Sequence, residues 1–251
     1  MSHHYIQFKD VHYSYPGGIE ALCGVNFRIT HGEKVALLGL NGAGKSTLLL
    51  HTNGLLLPSS GEVNVGDVPV QKSTLRLIRQ TVGLVFQNPD DQLFMPTVAD
   101  DVAFGPLNMG LPAAEIKRRV DASLAAVGAS DLASRPSFEL SGGQKRAVAI
   151  ATVIAMEPDI LVMDEPTANL DTGARRRLLD ILHSFGHTML VATHDLDMAL
   201  ELCPRTILLD RGRVVADGST AAILANRQLM ASSGMDIPAS LAAFLATRCI
   251  S

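Results

Sequence analysis

Short apolar runs and longer stretches of helical periodicity alternate along most of the chain. The runs cover residues 35–38, 82–86, 160–163, 189–192 and 206–209. Continuous apolar runs of this length are typical of strands buried on both faces of a parallel sheet. Because helical stretches separate the runs, the pattern predicts an α/β layered fold in which helices cover the sheet.

The N-terminal part shows a looser alternation of apolar and polar residues. It runs over 5–11 and 22–29, with the turn sequence Tyr15-Pro16-Gly17-Gly18 between the two segments. Alternation on both sides of a turn is typical of antiparallel strands. The chain is therefore predicted to begin with an antiparallel β subdomain.

Helical periodicity predicts four longer helices, at 47–57, 114–127, 142–156 and 174–185. No strand candidate lies within about residues 96–157, so this stretch is predicted to form a helical subdomain inserted in the α/β core. After Gly218, two short segments rich in alanine and leucine, separated near Pro238, predict a short helical extension over 219–251. Residues 1–218 are expected to form one domain.

Composition and charge argue against several classes of protein. A chain of 251 residues can bury a sizeable core without disulfide bonds. Its three cysteines are widely spaced, which argues against a disulfide framework and a structural zinc site. The net charge of −4 does not favour a nucleic-acid partner. The longest apolar stretch, 147–156, is too short to span a bilayer, and no secretory signal is recognisable, so we expect a cytosolic protein.

The strand candidate at 35–38 runs into the segment Gly39-Leu40-Asn41-Gly42-Ala43-Gly44-Lys45-Ser46, and a predicted helix starts at Thr47. A strand, this glycine-rich loop and a helix together are the context of a P-loop. Glycines let successive N–H groups point at phosphate oxygens, and the helix N-terminus adds a favourable dipole. We expect Lys45 to reach the β- and γ-phosphates and Ser46 to hold Mg²⁺. The alternative is an ordinary glycine-rich turn between a strand and a helix.

Two carboxylates, Asp164 and Glu165, follow the apolar run at 160–163. Open α/β sheets bind ligands at the carboxyl ends of their strands. Asp164 is therefore a candidate to hold Mg²⁺ through its water shell, and Glu165 to polarise an attacking water. Taken alone, the pair could equally be an ordinary acidic strand end.

A third motif, Leu140-Ser141-Gly142-Gly143-Gln144, opens a predicted helix about twenty residues before Asp164. A P-loop alone is compatible with kinases, GTPases and motors, whereas this motif order resembles the nucleotide-binding subunit of ATP-binding-cassette (ABC) transporters. The resemblance covers roughly residues 5–218. It implies a P-loop (RecA-like) parallel-sheet core with the antiparallel and helical subdomains described above.

The resemblance also implies ATP hydrolysis by a homodimer, or a pair of related subunits, that holds two ATP molecules in its interface. Each ATP would touch the P-loop of one subunit and, in the other, Ser141 and the N–H groups of Gly142 and Gly143. The helix start at Ser141 would then act as a second anion-binding site. The alternative for this pentapeptide is a simple helix cap.

Four further positions carry over from the family one at a time. Tyr15 resembles the aromatic residue that stacks on adenine, with Tyr13 as a rival. Gln87, after the strand candidate at 82–86, resembles the Q-loop glutamine, whose amide oxygen can bind Mg²⁺. Asp171 belongs to the segment Asn169-Leu170-Asp171, which resembles the D-loop that crosses to the partner subunit. His194 resembles the switch histidine that hydrogen-bonds the γ-phosphate.

One departure affects the D-loop, because many family members carry a smaller residue where this chain has Asn169. That leaves the local contact across the dimer open.

The predicted catalytic residues are Lys45, Gln87, Glu165 and His194, and the predicted Mg²⁺ ligands are Ser46, Gln87 and Asp164. The predicted ATP contacts are Tyr15, Gly39, Leu40, Asn41, Gly42, Ala43, Gly44, Lys45, Ser46, Thr47, Gln87, Ser141, Gly142, Gly143, Gln144, Asp164 and Asp171.

The segment Gln87-Asn88-Pro89-Asp90-Asp91-Gln92-Leu93-Phe94 is more specific than the general motifs. With Asn53-Gly54-Leu55-Leu56 and Tyr15-Pro16-Gly17-Gly18, it resembles the ATPase subunit of energy-coupling-factor importers, above all the cobalt-importer (CbiO-type) subunit. That family implies a transmembrane coupling protein, a separate membrane protein that binds the substrate, and a peripheral position at the cytoplasmic face of the membrane.

The same resemblance implies that the segment after Gln87 lines the groove for the coupling helices, with Asp90 and Asp91 as partners for basic residues. The alternative is a solvated acidic loop. The implied cargo is Co²⁺ or Ni²⁺, with a vitamin as the competing substrate. A non-transport cassette ATPase acting on DNA or ribosomes, and a regulatory module without catalysis, are further alternatives.

Overall fold

The computed structural model describes residues 5–168, 170–235 and 241. Its strands are β1 (Ile6–Tyr15), β2 (Ile19–Ile29), β3 (Lys34–Leu38), β4 (Ser60–Val65), β5 (Val68–Pro69), β6 (Val82–Val85), β7 (Ile160–Asp164), β8 (Thr188–Ala192), β9 (Arg205–Asp210) and β10 (Arg213–Ser219). Its helices are α1 (Lys45–Thr52), α2 (Leu75–Thr81), α3 (Val98–Asn108), α4 (Ala113–Ala126), α5 (Gly142–Ile154), α6 (Thr172–Ser184), α7 (Leu196–Leu202), α8 (Thr220–Ala225) and α9 (Arg227–Ser232). The chain divides into two compact units: the first runs up to Leu75 and resumes at Thr188, and the second is 76–187.

The first unit contains an antiparallel sheet and a mainly parallel set of strands. In the antiparallel sheet the order is β2-β1-β4-β5. The hairpin of β1 and β2 turns through the Tyr15–Gly18 sequence, where Gly18 N–H donates to Tyr15 O at 3.0 Å. In the second set, β3 pairs in parallel with β8 and with β9, and β9 pairs antiparallel with β10. The predicted antiparallel start and parallel core are thus confirmed.

The core of the parallel strands explains why their sequences read as continuous apolar runs. Every side chain of 35–38 on β3 and of 189–192 on β8 is fully buried. A strand covered on both faces has no solvent side on which polar residues could alternate. Burial therefore produces the signal from which these strands were predicted.

The second unit combines two parallel strands with a helical region. Strands β6 and β7 pair in parallel, with Val85 opposite Met163. Between residues 96 and 157, a stretch that is described throughout, the longer elements are α3, α4 and α5, and no strand occurs. Their apolar faces supply buried side chains such as Val102, Leu124 and Val148. The prediction of a strand-free helical stretch is confirmed.

Helix α1 is shorter than the predicted helix at 47–57. It begins at Lys45 and ends at Thr52, because Gly54 adopts a left-handed conformation with φ of 68°. The N–H groups of Leu55 and Leu56 then donate back to Leu50 O at 3.0 and 3.1 Å. The leucines after Thr52 therefore belong to a turn, and a glycine in this conformation is a common helix stop.

Several elements were not predicted. Strand β4 buries only Val63 and Val65, and the strands β5 and β10 and the helices α2 and α7 are short or weakly patterned.

After Gly218, the helices α8 and α9 are separated at Asn226, whose side chain accepts the Leu229 N–H. The predicted break near Pro238 lies outside the described residues. Among the helices of the described residues, none is both long and apolar enough to cross a bilayer.

Candidate functional site

The P-loop of the first unit follows β3 and leads directly into α1. Its backbone requires glycine at two positions. Gly44, the residue that caps α1, has φ of 104°, and a Cβ there would lie 2.5 Å from the Ala21 carbonyl oxygen. A Cβ at Gly39 would collide with the Leu209 carbonyl oxygen. The close approach of the loop to neighbouring backbone is therefore possible only without side chains.

Gly44→Ala is expected to destabilise the protein more than Gly42→Ala. Both residues have positive φ, so alanine at either position costs about 1–2 kcal/mol of backbone strain. Only Gly44 adds a steric clash, whereas among the described residues no atom beyond the chain neighbours lies within 4 Å of a Cβ at Gly42. Overpacking against backbone adds about 1–3 kcal/mol to the loss at Gly44. Urea unfolding of the two variants measures the difference, and equal losses would contradict this account of the loop.

Lys45 is buried, and its ammonium group lies over the P-loop backbone. Nζ donates to Gly39 O at 2.7 Å and to Leu40 O at 3.2 Å. The next residue, Ser46, exposes its side chain, while Thr47 is buried. The loop thus holds a fixed positive charge beside a solvent-facing hydroxyl at the start of α1, an arrangement suited to phosphate oxygens.

Tyr15 lies beside the start of α1. Its hydroxyl and Thr47 Oγ1 are 2.9 Å apart, and 37% of the residue is exposed. Tyr13, the rival in the sequence, is half-buried and packs against His51. Of the two tyrosines, Tyr15 is the more exposed residue.

His194 follows β8 and is exposed. It lines a cavity of about 350 Å³ together with Gly39, Leu40 and Asn41 of the P-loop. Within the first unit, the fold therefore brings together His194 and the P-loop, which are far apart in the sequence.

In the second unit, the predicted acidic pair lies at the carboxyl end of β7. Asp164 and Glu165 are both buried, and Glu165 has a left-handed backbone with φ of 46°. Val85 of β6 is paired with Met163 of β7. Gln87 lies two residues beyond Val85, and Glu165 lies two residues beyond Met163. Because the strands are parallel, Gln87 and the carboxylates lie at the same edge.

Arg146 is a feature of this edge that was not predicted. Its guanidinium donates to Phe86 O at 2.8 Å and to Gln87 O at 2.5 Å, and the residue is buried. Burial lowers the pKa of Arg146, and the charges of Asp164 and Glu165 oppose that effect. The sequence did carry a signal for Arg146, because this charged residue lies at a helical spacing from the apolar residues of α5. Arg146 ties α5 to the backbone at Gln87.

The motif at 140–144 forms the start of α5. Ser141 is the cap, with Oγ accepting the Gln144 N–H at 3.3 Å, while Gln144 Oε1 accepts the Ser141 N–H at 2.9 Å. Both Ser141 and Gly142 are exposed. The first-turn N–H groups of Gly142 and Gly143 have no partner within the helix, which is inherent in a helix start. The amide oxygen of Gln144 is engaged in the cap, and its contact with ATP stays a prediction.

Asp171 caps α6 by accepting the Ala174 N–H at 2.8 Å, and it is exposed. Its neighbour Asn169, the residue that departs from the family pattern, lies outside the described residues. Of the two acids predicted to meet a basic partner, Asp90 already pairs with Lys145, at 2.6 Å from Oδ1 to Nζ. Asp91 is exposed and accepts a long contact from Asn88.

The predicted residues thus form two sets. The first unit carries Tyr15, the P-loop and His194, and the second carries Gln87, Ser141, Gly142, Gly143, Gln144, Asp164, Glu165 and Asp171.

The sequences of three relatives align with most of this chain. The cobalt import ATP-binding protein CbiO of Rhodobacter capsulatus is 49% identical over 90% of this chain and 82% of its own length. The energy-coupling factor transporter ATP-binding protein EcfA of Methanocaldococcus jannaschii is 43% identical over 93% and 85%. A Geobacter sulfurreducens protein, named only as an ABC transporter ATP-binding protein, is 58% identical over 96% and 97%.

Two solved structures are similar to this chain over most of its length. CbiO1 of Clostridium perfringens, described as part of the ABC transporter complex CbiONQ, has a TM-score of 0.80 at 37% identity, covering 96% of this chain and 99% of that one. The dimeric ATP-binding cassette MJ0796, bound to ADP and phosphate, has a TM-score of 0.78 at 30% identity, covering 86% and 98%. The sequence profile described as ABC transporter matches residues 22–168. This chain therefore belongs to the ABC transporter family and is one of its ATPases.

Proposed function

We propose that this chain is the ATP-hydrolysing subunit of an energy-coupling-factor importer and works at the cytoplasmic face of the membrane. The observation that carries the proposal is the capped, solvent-facing start of α5 at Ser141 in a chain that also has a P-loop. Relatives named for cobalt import and for an energy-coupling factor support the importer branch.

Binding of ATP follows from the side chains of the first unit. The P-loop N–H groups and the Lys45 ammonium bind the phosphates, and Tyr15 stacks on adenine through its exposed face. His194, which lines the same cavity as the P-loop, donates a hydrogen bond to a γ-phosphate oxygen. These contacts fix the terminal phosphoryl group for in-line attack by water.

Hydrolysis depends on the second unit. Glu165 orients the attacking water and takes its proton, and its burial at the end of β7 keeps the carboxylate in a defined position. In a second copy of the chain, or a related subunit, Ser141 and the N–H groups of Gly142 and Gly143 bind the γ-phosphate and spread its developing charge. The cassette MJ0796, which is dimeric with ADP and phosphate bound, supports the dimer that this step requires.

The candidate ligands for Mg²⁺ are Ser46, Gln87 and Asp164. They offer a hydroxyl, an amide oxygen and a carboxylate, all hard oxygen donors of the kind that Mg²⁺ prefers. Ser46 is solvent-facing at the start of α1, and Asp164 lies at the carboxyl end of β7. Both positions suit side chains that bind the metal ion of a metal–nucleotide complex. When bound, Mg²⁺ neutralises charge on the phosphate oxygens.

An apolar patch in the second unit suits a membrane partner. Phe94, Phe104 and Leu107 are 63%, 42% and 56% exposed, and the two phenylalanine rings pack edge to face at 5.0 Å. Buried Asp101 holds the loop by accepting the N–H groups of Phe94 and Met95, each at 2.9 Å. A fixed aromatic surface of this kind fits an apolar coupling helix, and exposed Asp91 offers a partner for a basic residue on it.

The double variant Phe94→Ala, Phe104→Ala is expected to lose its membrane partners. Both rings are exposed, so the fold loses little, whereas the docking surface loses its aromatic anchors. Co-purification of the tagged subunit from membranes measures the complex, and ATP affinity of the isolated subunit checks its integrity. Leu77→Ala is the matched control, since Leu77 is a similarly exposed apolar residue outside the patch. Retention of the complex by the double variant would contradict the docking role.

The cargo that we propose is Co²⁺ or Ni²⁺, with a vitamin as the alternative. The cobalt-import relative and the CbiONQ component support the metal. The decisive experiment identifies the companion proteins after co-purification, and then measures uptake of labelled Co²⁺, Ni²⁺ and vitamins by vesicles that contain the complex. Vitamin uptake without metal uptake would overturn the metal assignment, and isolation with DNA or ribosomes would overturn transport.

A further inference from the structure

Tyr15, Tyr13, His51 and Thr47 of the first unit form a closed ring of contacts beside α1, which we call the circuit. The rings of Tyr15 and Tyr13 pack edge to face at 5.0 Å, and those of Tyr13 and His51 at 4.9 Å. His51 Nδ1 lies 2.7 Å from Thr47 O, and the Tyr15 hydroxyl lies 2.9 Å from Thr47 Oγ1. The circuit therefore begins and ends at Thr47, the third residue of α1.

His51 forms the buried side of this circuit. It is 0% exposed and lies one helical turn after Thr47 on α1. Because the acceptor at Nδ1 is a carbonyl oxygen, the Nδ1 nitrogen must carry the proton. Burial lowers the pKa of His51, so the imidazole is neutral near neutral pH and packs against the Tyr13 ring as an aromatic group.

Tyr13 connects the buried His51 to the exposed Tyr15. Residues 13 and 15 are two apart on β1, and the contact between their rings shows that both side chains lie on the same side of the strand. Tyr15 is the last residue of β1, next to the turn. Its ring contact with Tyr13 and its hydroxyl contact with Thr47 hold two different parts of the ring, which restricts both rotation and tilt.

We propose that Tyr13 and His51 are positioning residues for the nucleotide base. They hold Tyr15 with one face open to adenine, and through Thr47 they link this face to the helix that begins at the P-loop. The inference rests on the proposed role of Tyr15 in stacking on adenine. A ring that is already ordered loses less rotational freedom when the base binds, so the circuit raises affinity for ATP without touching it.

The test compares the binding of Mg-ATP with that of Mg-tripolyphosphate, which has the phosphates but no base. Tyr13→Leu removes the ring contacts and keeps an apolar side chain, while His51→Asn removes the second ring. Each is expected to weaken ATP binding by about two- to tenfold and to leave tripolyphosphate binding unchanged. Tyr13→Phe keeps the ring and is expected to restore affinity for ATP. Isothermal calorimetry measures both ligands.

Tyr15→Ala separates this inference from the proposal on which it rests. Loss of base stacking is expected to weaken ATP binding by about fivefold to a hundredfold and to leave tripolyphosphate binding unchanged. If Tyr15→Ala does not change the preference for ATP, the stacking role is wrong. If it does, but Tyr13→Leu and His51→Asn do not, the positioning role is wrong.

Equal weakening of both ligands by Tyr13→Leu would show a general effect on the P-loop and would also overturn the inference. Thermal melting of each variant identifies any that fails to fold. If Tyr13→Leu fails to fold, His51→Asn with Tyr13→Phe as the ring-retaining reference gives the same comparison.

Discussion

Glu165→Gln is expected to retain ATP and to slow its hydrolysis by about a hundredfold to ten-thousandfold. This corresponds to about 3–5 kcal/mol of activation free energy. Glutamine keeps the size of the side chain and can hydrogen-bond to water, but it cannot accept the proton. Because Glu165 is buried and has a left-handed backbone, an isosteric replacement disturbs the end of β7 less than any smaller residue.

Two measurements are needed for this variant. Phosphate release in a single turnover gives the rate of the chemical step, and gel filtration with Mg-ATP shows whether an ATP-bound dimer accumulates. Glu62→Gln, the same chemical change at an exposed position on β4, is the control and is expected to behave as the parent protein. Normal turnover by Glu165→Gln would remove Glu165 from the role of general base.

Lys45→Ala is expected to act on binding, with a tenfold to hundredfold weaker affinity for ATP. A hydrogen bond to a charged group contributes about 1.5–3 kcal/mol, and one to a phosphate belongs to this class. The Lys45 ammonium is held at Gly39 O and Leu40 O, so it already lies at the loop that we propose binds the phosphates. Alanine removes both the charge and this support for the loop.

Fluorescence titration with a nucleotide analogue measures the affinity, and urea unfolding separates it from a loss of stability. Lys9→Ala serves as the control, since Lys9 is an exposed lysine on β1 of the same unit. A Lys45→Ala protein that binds ATP normally and hydrolyses it slowly would assign the lysine to the chemical step alone. Normal binding and normal hydrolysis would contradict its place in the site.

The buried parallel strands and the P-loop were predictable because their signals are local. A strand covered on both faces is apolar throughout, and the glycines at 39 and 44 are adjacent to it in the chain. The predicted end of α1, at residue 57, was wrong, since the leucine pattern continues past Gly54 while the backbone at Gly54 turns left-handed. Hydrophobic periodicity reports which residues are buried and does not report where a backbone reverses.

The surface of the second unit shows a different limit. Asp90 and Asp91 are equivalent in the sequence, and both were predicted to face a partner. Both acids are exposed, but Asp90 pairs with Lys145 of α5, whereas Asp91 accepts only a long contact from Asn88 among the contacts of the described residues. Which of two neighbouring acids is neutralised depends on the helix packed next to them, and no local pattern records that.

The sequence by itself determined the local motifs of the candidate site. The glycine-rich P-loop, the capped helix start with two glycines and the acidic strand end each consist of consecutive residues, so their geometry follows from local backbone rules. Only the tertiary structure decided what supports them. Arg146 donates to the carbonyl groups of Phe86 and Gln87, which lie 60 and 59 positions earlier in the chain. Tyr13 on β1 contacts His51 on α1. Such contacts arise when separate elements pack together, and the sequence carries no periodic signal for the partner across that distance.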